Sequence, residues 1–167
     1  MERAIPTPLS QRQLDECIAR AKIAAGAVSS EIVWPASVEE LDVRDSDFVG
    51  VSFRQAILAN ATFMNCRFID CTFRSADLAD CAFDRCTFYD SETHAHCDFW
   101  YATLRNGRFE GCDLTTATCQ RTRAYGIEMR RCQASGIDFS NTDFGIGGGS
   151  FTAATFTDCN LAYADFS

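Results

Sequence analysis

No apolar run in the chain approaches the ~20 residues that a membrane-spanning helix needs. Residues 1–10 show no cationic stretch leading into an apolar core, so no secretory signal is read there and a cytoplasmic location is expected. Cations are in short supply. Fifteen Lys and Arg stand against 23 Asp and Glu, a net charge of −8. That balance argues against direct binding of nucleic acid and against docking on an anionic membrane, and it leaves room for a partner with a basic surface. The G-x-S-x-G elbow is missing, and no Cys–His pair can be argued as nucleophile and base. The Gly-rich stretch 145–150 (GIGGGS) lacks the Lys-Ser/Thr and the helix pattern of a phosphate loop, and reads as a corner loop. Proline and methionine number three each, whereas Cys reaches ten and Phe fourteen. With 167 residues, 47% of them hydrophobic, the chain suits one domain with a packed core and is not wholesale disordered.

Both excesses follow from a five-residue period. From Leu41 the blocks read LDVRD SDFVG VSFRQ AILAN ATFMN CRFID CTFRS ADLAD CAFDR CTFYD. Each has a small or apolar residue first, usually a polar one second, and a large apolar residue third. The third positions are Val43, Phe48, Phe53, Leu58, Phe63, Phe68, Phe73, Leu78, Phe83 and Phe88. Neither a helix nor an alternating strand has this period. The frame slips by one in 91–96 (SETHAH), resumes at Phe99 and continues through Leu104, Phe109, Leu114, Cys119, Ala124, Met129, Ala134, Phe139 and Phe144. It slips again at 145–150 and resumes at Phe151, Phe156, Leu161 and Phe166. Counting Thr93, twenty-five blocks cover 41–167. Blocks 121–135 have weak centres, and a looser core is expected there.

Cys66, Cys71, Cys81, Cys86, Cys97, Cys112, Cys132 and Cys159 occupy the first position of a block, as do Ala56, Ala61, Ala76, Ala102, Ala117, Ala154 and Ala164. A slot shared by Ala and Cys selects for small apolar volume rather than for a disulfide framework or a metal cluster. A unit with a small first and a large third residue turned inward cannot bury its apolar face alone. Stacked coils must supply the core, with the Phe rings in ladders.

The pattern resembles the pentapeptide-repeat family, consensus A-(D/N)-L-X-X. Blocks ADLAD (76–80), CDLTT (112–116), IDFSN (137–141) and CNLAY (159–163) carry the resemblance. It implies an all-β solenoid, a right-handed quadrilateral β-helix with four blocks per coil, in about six coils roughly 30 Å long. Residues 1–40 are expected to form an N-terminal α-helical cap, and 41–167 the repeats with bulges near 91–97 and 145–150. In the cap, Ser10 and Gln13 form a capping-box pattern. Leu14, Cys17, Ile18, Ala21 and Ala25 follow at helical spacing, Gly26 suits a stop, and Trp34 suits a lid on the first coil. At the other end the sequence stops inside a repeat. A homodimer through the C-terminal coil is one reading and a longer parent chain the other. The commonness of two-fold dimers favours the first. Relatives in the family often dimerise at that end, usually with a terminal helix not found in this sequence.

Assigning four blocks to a coil places Asp77, Asp98 and Asp138 on one face, with Thr118 between the last two and Asp80 beside them. Two adjacent faces collect Arg85, Arg105, Arg108, Arg123, Arg130 and Arg131. Trp100 and Tyr101 fall at outward positions beside the first bulge, where exposed aromatics suit an interface anchor. His94, His96 and Cys97, with Asp90 and Glu92 just before, form the one metal-like cluster, in which Glu92, His94 and His96 could converge; it lacks the second ligand pair a closed zinc site uses and reads as a polar bulge. No catalytic, cofactor or metal site is expected. The resemblance implies a non-catalytic interaction module. By likeness to the quinolone-resistance members, it would be a DNA mimic that protects a type II topoisomerase, DNA gyrase, with Asp77, Asp80, Asp98, Asp138, Trp100 and Tyr101 as partner-binding residues. The alternative is a docking scaffold for a secretion-system or effector partner.

Overall fold

The computed structural model describes residues 5–145 and 153–167. After β1 (Thr7–Pro8) comes one helix, α1 (Gln11–Ala19). Short strands follow: β2 (Lys22–Ala24), β3 (Gly26–Ser29), β4 (Asp42–Arg44), β5 (Asp47–Val49), β6 (Thr62–Met64), β7 (Arg67–Ile69), β8 (Ala82–Asp84), β9 (Arg108–Glu110), β10 (Glu128–Arg130) and β11 (Thr155–Thr157). They wind into a parallel β-solenoid with four walls. The first wall is a seven-stranded sheet ordered β11-β10-β9-β8-β6-β4-β2. The second begins as β1-β3-β5-β7 and continues through parallel bridges at Thr87, Asp113, Gln133 and Asn160. The third runs Ser52, Thr72, Asp98, Thr118, Asp138, Asp165. The fourth runs Ser37, Ile57, Asp77, Thr103, Arg123, Asp143.

Backbone geometry explains the period. The residue closing a block sits in the left-handed region, among them Asn60 (φ 62°), Asp80 (φ 59°), Asn106 (φ 52°), Gly126 (φ 71°) and Asn141 (φ 56°), and there the chain turns a corner. Asn, Asp and Gly tolerate this conformation best. Second-position carboxylates brace the same corner. Asp77 accepts from the Ala79 N–H (3.0 Å), Asp98 from Trp100 (2.9 Å), Asp113 from Thr115 (3.0 Å), Asp138 from Ser140 (2.9 Å) and Asp165 from Ser167 (2.9 Å). These are Asx turns, and they account for Asp or Asn in the second place of a block without invoking a partner.

The core is the row of third-position side chains. Phe48, Phe68 and Phe88 stack at 4.9 and 5.0 Å on the second wall. Phe53, Phe73 and Phe99 stack at 4.7 and 4.8 Å on the third, and Phe63, Phe83 and Phe109 at 4.9 and 4.8 Å on the first. The ten cysteines are free thiols, eight of them buried. Burial pushes the Cys81 thiol up to about 12 and raises Cys119 as well, so these groups stay protonated and unreactive near neutral pH. The weak blocks leave a narrow apolar void between Phe99, Leu104, Phe109, Leu114, Cys119, Ile127, Met129 and Phe139, too small for a water. Cys119 stands there in the column that Phe99 and Phe139 fill on either side. Cys119→Leu is expected to raise stability by about 1 kcal/mol in urea unfolding, since it adds buried apolar volume where space exists. A loss instead would show the void to be unfillable.

At the N-terminal end the structure departs from the helical spacing. The capping box forms, with Gln13 N–H donating to Ser10 Oγ and the Ser10 N–H to Gln13 Oε1 (2.9 Å), but α1 ends at Ala19. Ala21 (φ 51°) and Ala25 (φ 50°) are corners, not helix positions. Wall pairing already begins at β1, with Thr7 opposite Gly26, and continues at Lys22 opposite Asp42. Ile23, Val28, Trp34 and Val38 fill a first coil whose five-residue spacing is broken at Trp34, and Leu14 of α1 is buried against it. Gly26 does not stop a helix; it opens β3, where a Cβ would meet Leu9 Cδ1 at 2.8 Å. Trp34 lies edge-on to Phe48 (5.9 Å) and Phe53 (4.8 Å), holding the third-wall place of that coil with its indole N–H unpaired.

Candidate functional site

A filled tube leaves its outside as the working surface, and residues 91–96 decide how that surface is arranged. The wall passes from Phe88 directly to Phe99. The Cys97 N–H donates to the Phe88 carbonyl (3.1 Å), Asp90 N–H to Ala95 (2.8 Å), and Tyr89 pairs antiparallel with His96, so the six residues between stand off the wall as a loop. Thr93 is therefore not a block centre. Counting it as one shifts every face assignment across the loop by one wall. Asp77 does not share a face with Asp98 and Asp138: it belongs to the fourth wall, between Ile57 and Thr103, while Asp98, Thr118, Asp138 and Asp165 line up on the third. The frame break at 145–150 lies outside the described residues, apart from Gly145.

The Cys97–Phe88 hydrogen bond is the one that ordinary blocks make from first residue to preceding centre, as Ala76 does to Phe73 (2.9 Å). Excising 91–96 joins CTFYD to CDFWY without changing the period. The shortened chain is expected to fold with stability within about 1 kcal/mol of the parent, read by circular dichroism and urea unfolding, because tolerated loop changes at this length alter closure entropy by less than that.

The third wall carries most of the recognition features. Arg74 pairs with the Asp98 carboxylate through its Nε, and its guanidinium lies 4.9 Å over the Trp100 ring. Trp100 meets Tyr101 edge-on at 4.5 Å. Arg121 sits 5.8 Å over Tyr101 and donates to its hydroxyl (3.1 Å). Tyr101 is 46% exposed and holds a left-handed corner (φ 58°), a conformation that costs an aromatic residue roughly 1 kcal/mol or more. Asp80 is at the corner after Leu78 and accepts from Arg105 (3.4 Å) and Asn106 (2.9 Å). Burial works to raise the Asp138 carboxyl, but hydrogen bonds from Ser140 and from the Gln120 amide outweigh it and hold the group below its ordinary value. Asp138 and Asp165 have no ion-pair partner among the described residues.

The arginines are largely spoken for. Arg85 contacts Asp84 (3.1 Å), Arg105 Asp80 (3.4 Å), Arg131 Glu110 (2.7 Å), and Arg108 and Arg130 both flank Glu128 (3.9 and 3.8 Å). In the loop, His94 Nδ1 is 2.8 Å from the Tyr89 hydroxyl, while the Glu92 N–H and the Thr93 hydroxyl both bond to Asp90 and lower its carboxyl. A cleft of about 540 Å³ separates the loop from the third wall, with Arg54, Asp70, Arg74, His94, His96 and Asp98 in its lining. Among the described residues, no three or more His, Cys, Asp or Glu converge to hold a metal ion, and no helix is long and apolar enough to cross a membrane.

These features define a solenoid that presents flat, two-signed walls with an aromatic patch on the third. The chain belongs to the pentapeptide-repeat family: eight copies of the pentapeptide repeat match residues 46–85 and 95–131. Over 130 residues, 76% of the chain, it is 41% identical to the quinolone resistance pentapeptide repeat protein QnrB96 of Scandinavium goeteborgense. It is 43% identical over 111 residues, 65% of the chain, to the pentapeptide repeat protein QnrB4 of Escherichia coli. The chain spans about half the length of these curated relatives, 51% and 49%. Among solved structures, full-length QnrB1, a plasmid-mediated fluoroquinolone resistance protein, superposes with a TM-score of 0.55 at 30% identity, over 86% of this chain and 59% of that one. The pentapeptide repeat protein Rfr23 of the cyanobacterium Cyanothece 51142 shares the fold, with a TM-score of 0.53 at 10% identity over 93% of this chain and 98% of that one.

Proposed function

We propose that the chain is a non-catalytic protein-binding rod that protects DNA gyrase, a type II topoisomerase, from quinolones by occupying the basic surface where the enzyme takes DNA. The observation that carries this reading is the 41% identity to a quinolone resistance protein over three quarters of the chain. The third wall supports it. Asp138 and Asp165 are neighbours along the rod axis without an ion-pair partner among the described residues, and aligned negative charge is the feature of duplex DNA that a basic saddle reads. A cluster of free arginines would repel such a saddle, but five of the six expected to form that cluster are tied to the rod's own carboxylates and add little outward positive potential.

The test is gyrase supercoiling of relaxed plasmid in the presence of quinolone. Wild-type protein at micromolar concentration is expected to restore supercoiling. The variant with Asp77→Asn, Asp98→Asn and Asp138→Asn is expected to need several-fold more protein. No rescue by the wild type at that concentration would remove the reading. The Trp100–Tyr101 pair, with Tyr101 exposed and Trp100 half-buried, favours a second one, a docking scaffold for another protein. In that case Trp100→Ala would abolish capture of a partner other than gyrase.

A further inference from the structure

The first-position cysteines are sorted by wall. Five form a single column on the second wall, Cys66, Cys86, Cys112, Cys132 and Cys159, in successive coils after Ser46. The same slot on the fourth wall holds Ala56, Ala76, Ala102, Thr122 and Thr142 and no cysteine. Selection for small volume alone would not separate Cys from Ala in this way. The five thiols also share one geometry. Each donates to the carbonyl of the first-wall block centre one coil back: Cys66 to Val43 (3.6 Å), Cys86 to Phe63 (3.4 Å), Cys112 to Phe83 (3.3 Å), Cys132 to Phe109 (3.4 Å) and Cys159 to Met129 (3.4 Å). One side-chain geometry repeated by the coil places successive sulfurs about one strand spacing apart, ~4.8 Å.

That spacing is wrong for a disulfide, which wants Cβ atoms ~3.5–4.5 Å apart and sulfurs at ~2.05 Å. It suits two metal–thiolate bonds laid end to end, since two bonds of ~2.3 Å span about 4.6 Å. We propose that the Cys132–Cys159 step of the column is a linear two-coordinate site for a thiophilic monovalent ion, Cu(I) in chemical class, with Ag(I) as its redox-inert surrogate. Binding is an exchange without electron transfer. Each thiol gives up its proton, two metal–sulfur bonds form, and the bis-thiolate keeps one net negative charge. Cys159 is half-buried, so solvent reaches this step of the column and carries part of the excess charge. Cys132 is fully buried.

Ag(I) titration of the whole chain followed by native mass spectrometry tests this, with Cys17→Ala as background because that thiol is also partly exposed. The expected result is one ion bound for two protons lost, with a raised melting temperature. Cys132→Ser and Cys159→Ser are each expected to weaken binding at least tenfold. Both should fold, because Ser46 already occupies this column, bonding the Arg44 carbonyl at 2.8 Å. Cys81→Ser, whose column neighbours are Ala61 and Gly107, is expected to leave binding unchanged. Equal weakening by Cys81→Ser, or uptake only with loss of the far-ultraviolet dichroism of the folded chain, overturns the proposal.

Discussion

Phe73→Ala is expected to cost about 3–5 kcal/mol, lowering the melting temperature by roughly 10 °C. Phe73 is fully buried in the middle of the third-wall ladder, stacked on Phe53 at 4.7 Å and Phe99 at 4.8 Å, with Phe68 edge-on at 5.5 Å. Removing the ring takes away contacts to two coils at once. The cavity cannot collapse, because the backbone of each coil is pinned by hydrogen bonds to the coils on both sides, such as Phe73 N–H to Asp98 (2.7 Å) and Phe53 N–H to Thr72 (2.8 Å). Phe166→Ala is the contrast. That ring is 49% exposed and stacks on Phe139 from one side only, at 5.5 Å, so the expected loss is about 1 kcal/mol. Urea unfolding of the two variants measures the difference. A loss below about 1.5 kcal/mol at Phe73 would mean that the coils slide or repack, which a tube pinned along its whole length does not allow.

The walls were readable in the sequence because their cause recurs. Most of the described blocks set a large residue inward and close on a left-handed corner, so the period survives single weak centres such as Ala124 and Ala134. What stayed hidden is whatever occurs once. The first coil uses Ile23, Val28, Trp34 and Val38, with the five-residue spacing broken at Trp34, and its Ala21 and Ala25 mimic helical spacing. Loop 91–96 was visible as a slip of one residue, yet a slip of one and an excursion of six leave the same phase modulo five. The Cys97–Phe88 hydrogen bond and the bridges between coils distinguish them, and with them the wall to which Asp77 belongs. Ion pairing was hidden for a related reason. Arg74 and Asp98 are 24 residues apart because the loop lengthens that coil, and no pattern within a block reports the contact.

That geometry makes the charge test specific to a wall. Asp138→Asn alone is expected to weaken gyrase protection about five- to tenfold, whereas Asp98→Asn has a smaller effect and Asp77→Asn the least. Asp98 already shares its charge with Arg74, so neutralising it removes little outward field. Asp138 is held ionised by Ser140 and Gln120, has no ion-pair partner among the described residues, and stands next to Asp165 in the following coil. Like charges one strand spacing apart repel, which a fold tolerates at some cost in stability and a basic partner relieves on binding. Because the folded-state carboxyl of Asp138 lies below its ordinary value, its contribution to folding is present above the usual carboxylate range and fades only as pH falls through the lowered value, so protection should not vary with pH near neutrality on its account. Asn keeps the Asx bond to the Ser140 N–H, so Asp138→Asn should unfold within about 0.5 kcal/mol of the parent, whereas Asp138→Ala loses that bond and about 1 kcal/mol with it. The pair of substitutions separates the two duties of this side chain: if Asn protects gyrase as well as Asp does while Ala fails, the carboxylate serves only the corner, and the third wall is not where the partner reads charge.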